Sequence, residues 1–174
     1  MGTDSKTPFA MSAPGGFVFV SAGMLEIVRN EDELAAVFAH EIAHVSARHA
    51  ERNIQTSNRF QLGEQFLSLL AVAVPNLSEL AAFAKIVSDS ANMKFNREQE
   101  LEADAGAVRV LERAGYSSTA LLAMVKRIPE DSAAKSSHPA NDERIQELLR
   151  LGRGQKYTLN VRSQIRFLRG KAEL

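Results

Sequence analysis

Residues 34–45 read LAAVFAHEIAHV and are the strongest structural signal in the chain. Helix formers dominate the stretch, and its apolar residues recur at steps of three and four, which predicts a helix. Because helical residues four apart share a face, His40 and His44 can direct both imidazoles at one ion. Glu41 lies about 100° further round, where a carboxylate can reach a water on that ion. The pattern indicates a zinc site with Glu41 as the catalytic base.

The helix that carries this motif is predicted to run from Glu31 to about Asn58. Asn30, followed three residues later by Glu33, is a capping-box pattern that opens it. Apolar residues at three- and four-residue steps predict the side of this helix that faces the core. They are Leu34, Val37, Phe38, Ile42 and Val45.

The composition favours one globular domain over residues 1–174, with hydrophobic content of 45%, enough for one sizeable core. Basic and acidic residues balance at 21 each, so no nucleic-acid or anionic-membrane partner is expected. The absence of cysteine excludes thiolate zinc ligands and a cysteine nucleophile. The longest apolar run, residues 66–74, is too short for a transmembrane segment.

The remaining sequence predicts a mainly helical α+β fold. Residues 17–20 (FVFV) follow a turn at Pro14-Gly15-Gly16 and form the clearest strand. Helices are predicted over 22–29, 60–74, 78–92, 96–114, 118–128 and 141–151. Residues 130–140 are predicted to form a loop, with a weaker strand over 156–161 and a weaker helix over 163–174.

A catalytic zinc ion needs three protein ligands and one open position, so the chain must supply a third ligand. The longer His-Glu-x-x-His-x-x-Gly-x-x-His pattern is excluded, because Ala47 and Ala50 stand where it requires glycine and histidine. His49 lies roughly half a turn from His40 around the predicted helix. We interpret His49 as a structural or surface histidine.

An acidic run at the start of a later helix offers the third ligand. Glu100 and Asp104 share one face of that helix, while Glu98 and Glu102 share another. We assign Glu100 to zinc and expect Asp104 to accept the ring N–H of a liganding histidine, His40 being the expected partner. Glu98 and Glu102 are interpreted as acids that favour the helix dipole and solvent. The predicted ligands of one zinc ion per chain are His40, His44 and Glu100.

Peptide hydrolysis at such a site uses zinc to polarise the carbonyl and to activate a zinc-bound water, while Glu41 carries a proton to the leaving amine. A donor from outside the metal helix is expected to stabilise the oxyanion. His138, in the predicted loop, is the first candidate and Arg144 is the second. A loop histidine before proline is often simply exposed, so these residues alone leave the role open.

Four segments, in their order and spacing, resemble metallopeptidase family forty-eight, which includes HtpX, the CAAX prenyl endopeptidases and BepA-like proteases. They are residues 14–25 (PGGFVFVSAGML), 34–45, 97–104 (REQELEAD) and 137–139 (SHP). The resemblance implies a zincin-like domain of the gluzincin type, with a small antiparallel or mixed sheet packed on the motif helix. The family's Glu-x-x-x-Asp element falls on Glu100 and Asp104. Its His-Pro element falls on His138, which the resemblance makes the expected oxyanion donor.

The resemblance also implies a substrate and a compartment. A substrate peptide would add as an extended strand near residues 7–10, with Phe9 and Ala10 as the expected contacts. The expected function is zinc-dependent cleavage of unfolded or misfolded polypeptides, envelope proteins among them. The expected location is the bacterial periplasm or cell envelope, as a soluble protein whose export signal lies outside this chain, which is expected to be a single domain or a fragment of a longer protein.

Two other functions stay open at this point. One is a metal-stabilised quality-control module that binds client proteins through the apolar region 62–84 without cutting them. The other is a latent protease, in which a side chain or the predicted 60–92 hairpin closes the cleft until a partner moves it.

Overall fold

The computed structural model describes residues 7–56, 94–129, 137–139, 142–153 and 167, and every structural statement below concerns these residues. Several sequence expectations lie outside them. These are the helices over 60–74 and 78–92, the apolar region 62–84, most of the 130–140 loop, the helix start at Asn141, the strand over 156–161 and, apart from Phe167, the helix over 163–174.

Two strands and six helices make up the described part of the chain. The strands are β1 (Ala10–Ala13) and β2 (Phe17–Val20). The helices are α1 (Ala22–Ile27), α2 (Glu31–Ser46), α3 (His49–Thr56), α4 (Arg97–Ala114), α5 (Thr119–Arg127) and α6 (Asp142–Leu151). The prediction of a mainly helical α+β fold is confirmed. Among these helices, none has both the length and the hydropathy that crossing a membrane requires.

The two strands form an antiparallel hairpin in which Ala10 pairs with Val20 and Ala13 pairs with Phe17. Gly15 and Gly16 make its turn at φ values of 93° and 88°, a region that side chains disfavour. β1 is buried along its whole length and contacts α2. The small sheet therefore packs on the motif helix, as expected.

α2 and α4 pack side by side at the centre of the fold. Their contact is close because Gly106 of α4 faces Ala43 of α2, so that a Cβ added at Gly106 would lie 2.8 Å from the Ala43 Cβ. The buried side of α2 also carries Ala36 and Ala39. Small side chains let the two backbones approach, which brings polar side chains of both helices within reach of one another.

The predicted core face of α2 is partly wrong. Val37 is buried, but Phe38 and Ile42 are 37% and 41% exposed. The side that faces α4 is lined by alanines, because so close a helix contact admits only small side chains. Apolar periodicity gives more weight to large residues and so favoured the neighbouring face.

The predicted single helix over 31–58 is also wrong, because two helices occupy that range. α2 ends at Ser46, and α3 begins at His49. Between them Arg48 adopts a φ of 53°, a left-handed conformation that stops helix propagation in a non-glycine residue. His49 is therefore the first residue of a new helix, and its direction is not set by the phase of α2.

The predicted helix starts are confirmed for both long helices. The Asn30 side chain accepts the backbone N–H of Glu33 at 2.9 Å. The Glu33 carboxylate pairs with Arg127 of α5, so the reciprocal half of the predicted capping box is not formed. Asn96 and Gln99 form a reciprocal capping box at α4. Gly115 ends α4 in the left-handed conformation, with a φ of 79°.

Candidate metal centre

Four side chains from α2, α4 and the 137–139 segment converge at one point: His40, His44, Glu100 and His138. Each offers one nitrogen or oxygen atom, and these four atoms lie within 4.8 Å of one another. α2 supplies two of them because it places residues four apart on one face. α4 supplies the carboxylate because the two helices touch along their small residues.

The spacing of these atoms is close to that of the edges of a coordination tetrahedron. The Nε2 atoms of His40 and His44 are 3.1 Å apart. Oε2 of Glu100 lies 3.5 Å from His40 Nε2, and Oε1 lies 3.4 Å from His44 Nε2. Two ligand atoms, each about 2.0–2.2 Å from a tetrahedral zinc ion, would be about 3.3–3.6 Å apart. The donor set therefore fits one ion of this kind.

The buried charges also fit a divalent cation. Glu41, Glu100, Asp104 and Arg144 are each no more than 2% exposed. With both α2 histidines neutral, as metal ligands must be, three carboxylates and one guanidinium carry a net charge of −2, and buried charge without compensation is strongly unfavourable. A cation with two positive charges at this point would balance them.

Glu41 stands beside the four converging side chains. Its Oε1 lies 3.5 Å from Nε2 of His138. Its Oε2 is buried and has no hydrogen-bond partner among the described residues. A buried carboxylate oxygen without a partner indicates that a water or a ligand belongs next to it. This is the position that a base acting on a water requires.

Burial disfavours a charge on both α2 histidines, but their neighbours lead to opposite results. At His40, hydrogen bonds to Asp104 and Glu100 outweigh burial and raise the pKa to about 10. At His44, burial prevails over the hydrogen bond to Glu100 and lowers the pKa to about 2. Burial alone would raise the pKa of Glu100, yet the charge and hydrogen bond of His138 hold it well below its ordinary value. The carboxylates thus hold a proton on His40 whose place a bound cation would take.

Asp104 lies behind His40, with Oδ1 3.1 Å from the Nδ1 atom of that ring. Arg144 of α6 holds Asp104 through Nε and Nη2, each 2.8 Å from a carboxylate oxygen. Its Nη1 is 2.6 Å from Glu100 Oε2 and donates to two backbone carbonyls in the 137–139 segment. All three guanidinium nitrogens are engaged in this way. Arg144, the second oxyanion candidate, is therefore placed as a support for the two carboxylates.

His138 lies among the converging side chains, closer to Glu100 and His40 than the role of oxyanion donor requires. Its Nδ1 is 2.9 Å from Glu100 Oε1 and 3.3 Å from His40 Nε2, which is the spacing of a ligand. Its other ring nitrogen faces Glu41. The 137–139 segment is anchored by the N–H of Phe95, which donates to the Ser137 carbonyl at 3.2 Å. From this position the ring is able either to donate to an oxyanion or to bind the ion itself.

Three residues next to the site make contacts that the sequence did not predict. Phe95 stacks against His44 with ring centroids 4.0 Å apart. His49 is fully buried, with Nδ1 2.8 Å from Nδ1 of His44. Glu102 is exposed, as predicted, and its Oε2 also lies 3.1 Å from Nε2 of His49. The contacts of His49 with His44 and Glu102 depend on the break at Arg48, which no local pattern reveals.

The edge of β1 reaches the site at Ala10. Phe9 is bound to Ser21: its N–H donates to the Ser21 hydroxyl at 2.9 Å, and its carbonyl accepts the Ser21 N–H at 3.0 Å. Alternate residues of a strand direct their backbone groups to opposite edges, so Ala10 directs its own away from β2. Within the described ranges no strand pairs with this outer edge. Of the two expected substrate contacts, Ala10 has the suitable backbone direction, whereas the backbone of Phe9 is engaged.

An apolar pocket opens beside Glu41 and His138. Ala10 contributes to its wall together with side chains of α1, α2 and α5, among them Met24, Val37 and Met124. The cavity has a volume of about 40 Å³, which is enough for a small apolar side chain.

Comparison with known proteins agrees with this geometry. The sequence profile of Peptidase family M48 matches residues 3–151. The mitochondrial metalloendopeptidase OMA1 of Schizosaccharomyces pombe is 33% identical over 150 residues, which cover 82% of this chain and 43% of that protein. The beta-barrel assembly-enhancing protease of Escherichia coli is 31% identical over 150 residues, with coverage of 77% and 31%. The metalloprotease YcaL of Escherichia coli is 24% identical over 144 residues, with coverage of 80% and 56%. The chain spans less than two thirds of the length of each of these relatives.

Proposed function

The chain belongs to peptidase family M48, and on that premise we propose that it is a zinc-dependent endopeptidase that cleaves unfolded or misfolded polypeptides. The observation that carries this proposal is the convergence of imidazole nitrogens and a carboxylate at tetrahedral spacing, with Glu41 beside them. His40, His44 and Glu100 would hold the ion. When bound, zinc would act as a Lewis acid toward the substrate carbonyl and the attacking water.

Two side chains would carry the proton chemistry. Glu41 takes a proton from the attacking water and delivers it to the leaving amine, a role that suits its buried Oε2, which has no hydrogen-bond partner in the described part of the chain. Because Nδ1 of His138 faces the Glu100 carboxylate, which can only accept, His138 must carry protons on both ring nitrogens to donate to the forming oxyanion from Nε2. This nitrogen is 3.5 Å from Glu41 Oε1, so the base and the donor face the same reacting carbonyl.

The substrate would be recognised mainly through its backbone. An extended peptide would pair with the outer edge of β1 at Ala10, as in strand addition. One small apolar side chain would enter the pocket beside Glu41 and His138. Recognition of this kind requires an extended chain, and unfolded polypeptides provide one.

The proposed location is the bacterial periplasm or cell envelope, with envelope proteins among the clients. Support comes from the bacterial relatives, one of which is named for β-barrel assembly. Fractionation of the native host, with the protein detected by antibody, tests this placement. Recovery in the cytosolic fraction would refute it.

The direct test of function pairs metal analysis with cleavage of casein or another denatured protein. The wild type should bind one zinc ion per chain and produce fragments. Glu41→Gln should retain the metal and lose cleavage, because the variant removes the base without touching a proposed ligand. Glu98→Gln, an exposed acid on α4, is the matched control and should cleave normally. If the zinc-loaded wild type binds denatured protein but produces no fragments, the quality-control module is favoured instead. Its proposed binding region, 62–84, lies outside the described residues.

A second candidate, the latent protease, is favoured by one observation. The Nδ1 atom of His138 lies at ligand spacing from Glu100 and His40, where the ring would complete a tetrahedron and leave no open position. In that state the enzyme would be inactive until the 137–139 segment moved. Replacement of His138, described below, separates the two candidates.

A further inference from the structure

A line of contacts runs from His44 to the protein surface. We propose that His49 and Glu102 are positioning residues that fix the tautomer and the orientation of His44, and so tune metal binding at this site. The inference rests on the proposed function only in taking His44 as a metal ligand. It concerns metal affinity and does not depend on whether the chain cleaves peptides.

The contacts form a line from His44 through His49 to Glu102. Nδ1 of His44 is 2.8 Å from Nδ1 of His49. Nε2 of His49 is 3.1 Å from Oε2 of Glu102. The same carboxylate oxygen accepts from Nη2 of Arg52 at 3.0 Å. The line begins at a ring that is 1% exposed and ends at a carboxylate side chain that is 52% exposed.

Glu102, at the exposed end of this line, determines which ring nitrogen of each histidine carries the proton. The Glu102 carboxylate can only accept, so the proton of a neutral His49 must be on Nε2. Nδ1 of His49 is then bare and can only accept from Nδ1–H of His44. Because His44 carries its proton on Nδ1, its Nε2 is left bare and points at His40 and Glu100. A metal ion requires that tautomer, and a surface carboxylate enforces it.

The backbone is arranged to make this line possible. On an uninterrupted helix, His49 would lie far round from His40 and could not sit behind His44. The left-handed turn at Arg48 ends α2 and starts α3 at His49, whose ring is fully buried. A positive φ in a residue other than glycine costs stability, of the order of 1 kcal/mol or more. The fold keeps that strained residue directly before the histidine that contacts the ligand.

The two ligand histidines are then held in the same manner. Asp104 faces Nδ1 of His40 directly, and Glu102 acts on Nδ1 of His44 through His49. Both carboxylates belong to α4, the helix that also provides Glu100. A single helix thus supplies one ligand and sets the tautomers of the two others.

Zinc affinity, measured by chelator competition on the full chain, tests the proposal. His49→Phe keeps the ring volume but removes both nitrogens, and it should weaken zinc binding about 10- to 100-fold. His49→Asn keeps an acceptor near the Nδ1 position, so it should restore part of the affinity. Glu102→Gln changes only the exposed end of the line and should weaken binding, whereas Glu98→Gln should not. In cobalt-substituted protein, His49→Phe and Glu102→Gln should both show altered d–d absorption bands.

The metal-free protein gives a second and independent measurement. Long-range nitrogen-15 NMR of the imidazoles should show His44 protonated on Nδ1 and His49 protonated on Nε2. In Glu102→Gln the His49 signal should move toward a mixture of tautomers, because the amide can donate as well as accept.

Two results would overturn the proposal. One is a folded His49→Phe protein with wild-type zinc affinity and an unchanged cobalt spectrum, which would reduce His49 to a packing residue. If His49→Phe does not fold, Glu102→Gln decides, and affinity equal to that of Glu98→Gln would refute the line of contacts. If the variants change zinc affinity as expected but the wild type cuts no substrate, the proposed function is refuted and the role of His49 and Glu102 stands.

Discussion

Arg144 holds Asp104 by two parallel hydrogen bonds, each 2.8 Å long, from Nε to Oδ2 and from Nη2 to Oδ1. Asp104 in turn faces the ring of His40, so the arginine on α6 supports a proposed ligand on α2 through a carboxylate on α4. All three side chains are buried.

Replacing this arginine should therefore be costly. Arg144→Met leaves Glu100 and Asp104 buried without their cation, and the free energy of unfolding should fall by about 3–5 kcal/mol in the metal-free protein. Urea denaturation measures this change, and zinc should recover part of the loss. Arg150→Met removes an arginine that pairs with Glu147 on the exposed side of the same helix, and it should have little effect. Equal losses in the two variants would contradict a special role for the buried pair.

The contact between α2 and α4 should be intolerant of one methyl group. Gly106→Ala would normally favour a helix, but its Cβ would lie 2.8 Å from the Ala43 Cβ and push the helices apart. We expect a loss of about 1–3 kcal/mol in stability together with weaker zinc binding, since the ligands lie on both helices. The double variant Ala43→Gly/Gly106→Ala restores the space and should regain zinc affinity. Additive effects in this pair would show that the contact does not set the ligand geometry.

Replacing His138 distinguishes an oxyanion donor from a closing ligand. For a donor, His138→Ala should lower kcat about 10²- to 10³-fold and leave zinc affinity nearly unchanged. For a closing ligand, the same change should raise activity and weaken zinc binding. We expect the first result, and an activated variant would establish the latent protease instead.

The stability of the metal-free protein should be greatest near pH 6.5. The pKa of His40 rises from 6.5 to about 10 on folding, so its contribution is complete below pH 6.5 and is lost as the pH rises toward 10. The pKa of His44 falls from 6.5 to about 2, so below pH 6.5 the unfolded chain binds a proton that the folded chain does not, and stability falls. Urea denaturation with a chelator present, at pH 5.5, 6.5 and 8.5, measures both effects.

Variants assign these two effects to their residues. His40→Asn should flatten the alkaline decline, and saturating zinc should abolish it, because the metal replaces the proton on His40. A metal-free stability that increases between pH 6.5 and 8.5 would contradict the interpretation of His40.

The apolar pocket should set side-chain preference at the cleavage site. Met124→Ala enlarges it and should shift kcat/KM in favour of larger apolar side chains, about tenfold or more in a peptide library. It should also cost about 2–5 kcal/mol in stability. Leu148→Ala removes a comparable buried side chain away from the pocket, so it should destabilise the protein without changing the preference. An identical cleavage profile in both variants would exclude this pocket as a subsite.

Helical periodicity predicts which side chains of one helix share a face. His40, Glu41 and His44 follow from one helix turn. Glu100 and Asp104 share a face, as do Glu98 and Glu102, and the family's Glu-x-x-x-Asp element agrees with the first pair. The structure brings all five together. Their placement in one site is a finding, while their roles in catalysis stay predictions.

The residues that sequence reasoning missed depend on contacts between elements. The exposure of Phe38 follows from the alanine contact between α2 and α4, which no apolar period reveals. The burial of His49 follows from a single left-handed residue, Arg48, which has no sequence signature of glycine or asparagine. Glu102 is a solvent-facing acid, as predicted, but only the new direction of α3 brings His49 to its carboxylate.

The separation of the converging side chains along the chain has a consequence for folding. His40 and His44 are 4 residues apart, Glu100 and His138 are 38 apart, and His40 and His138 are 98 apart. The unfolded chain therefore offers only one local pair of imidazoles, and the rest of the site forms when α2, α4 and the 137–139 segment dock. Such long loops close late in folding. Zinc should consequently enter a nearly complete structure, leave the refolding rate almost unchanged and slow only the unfolding rate.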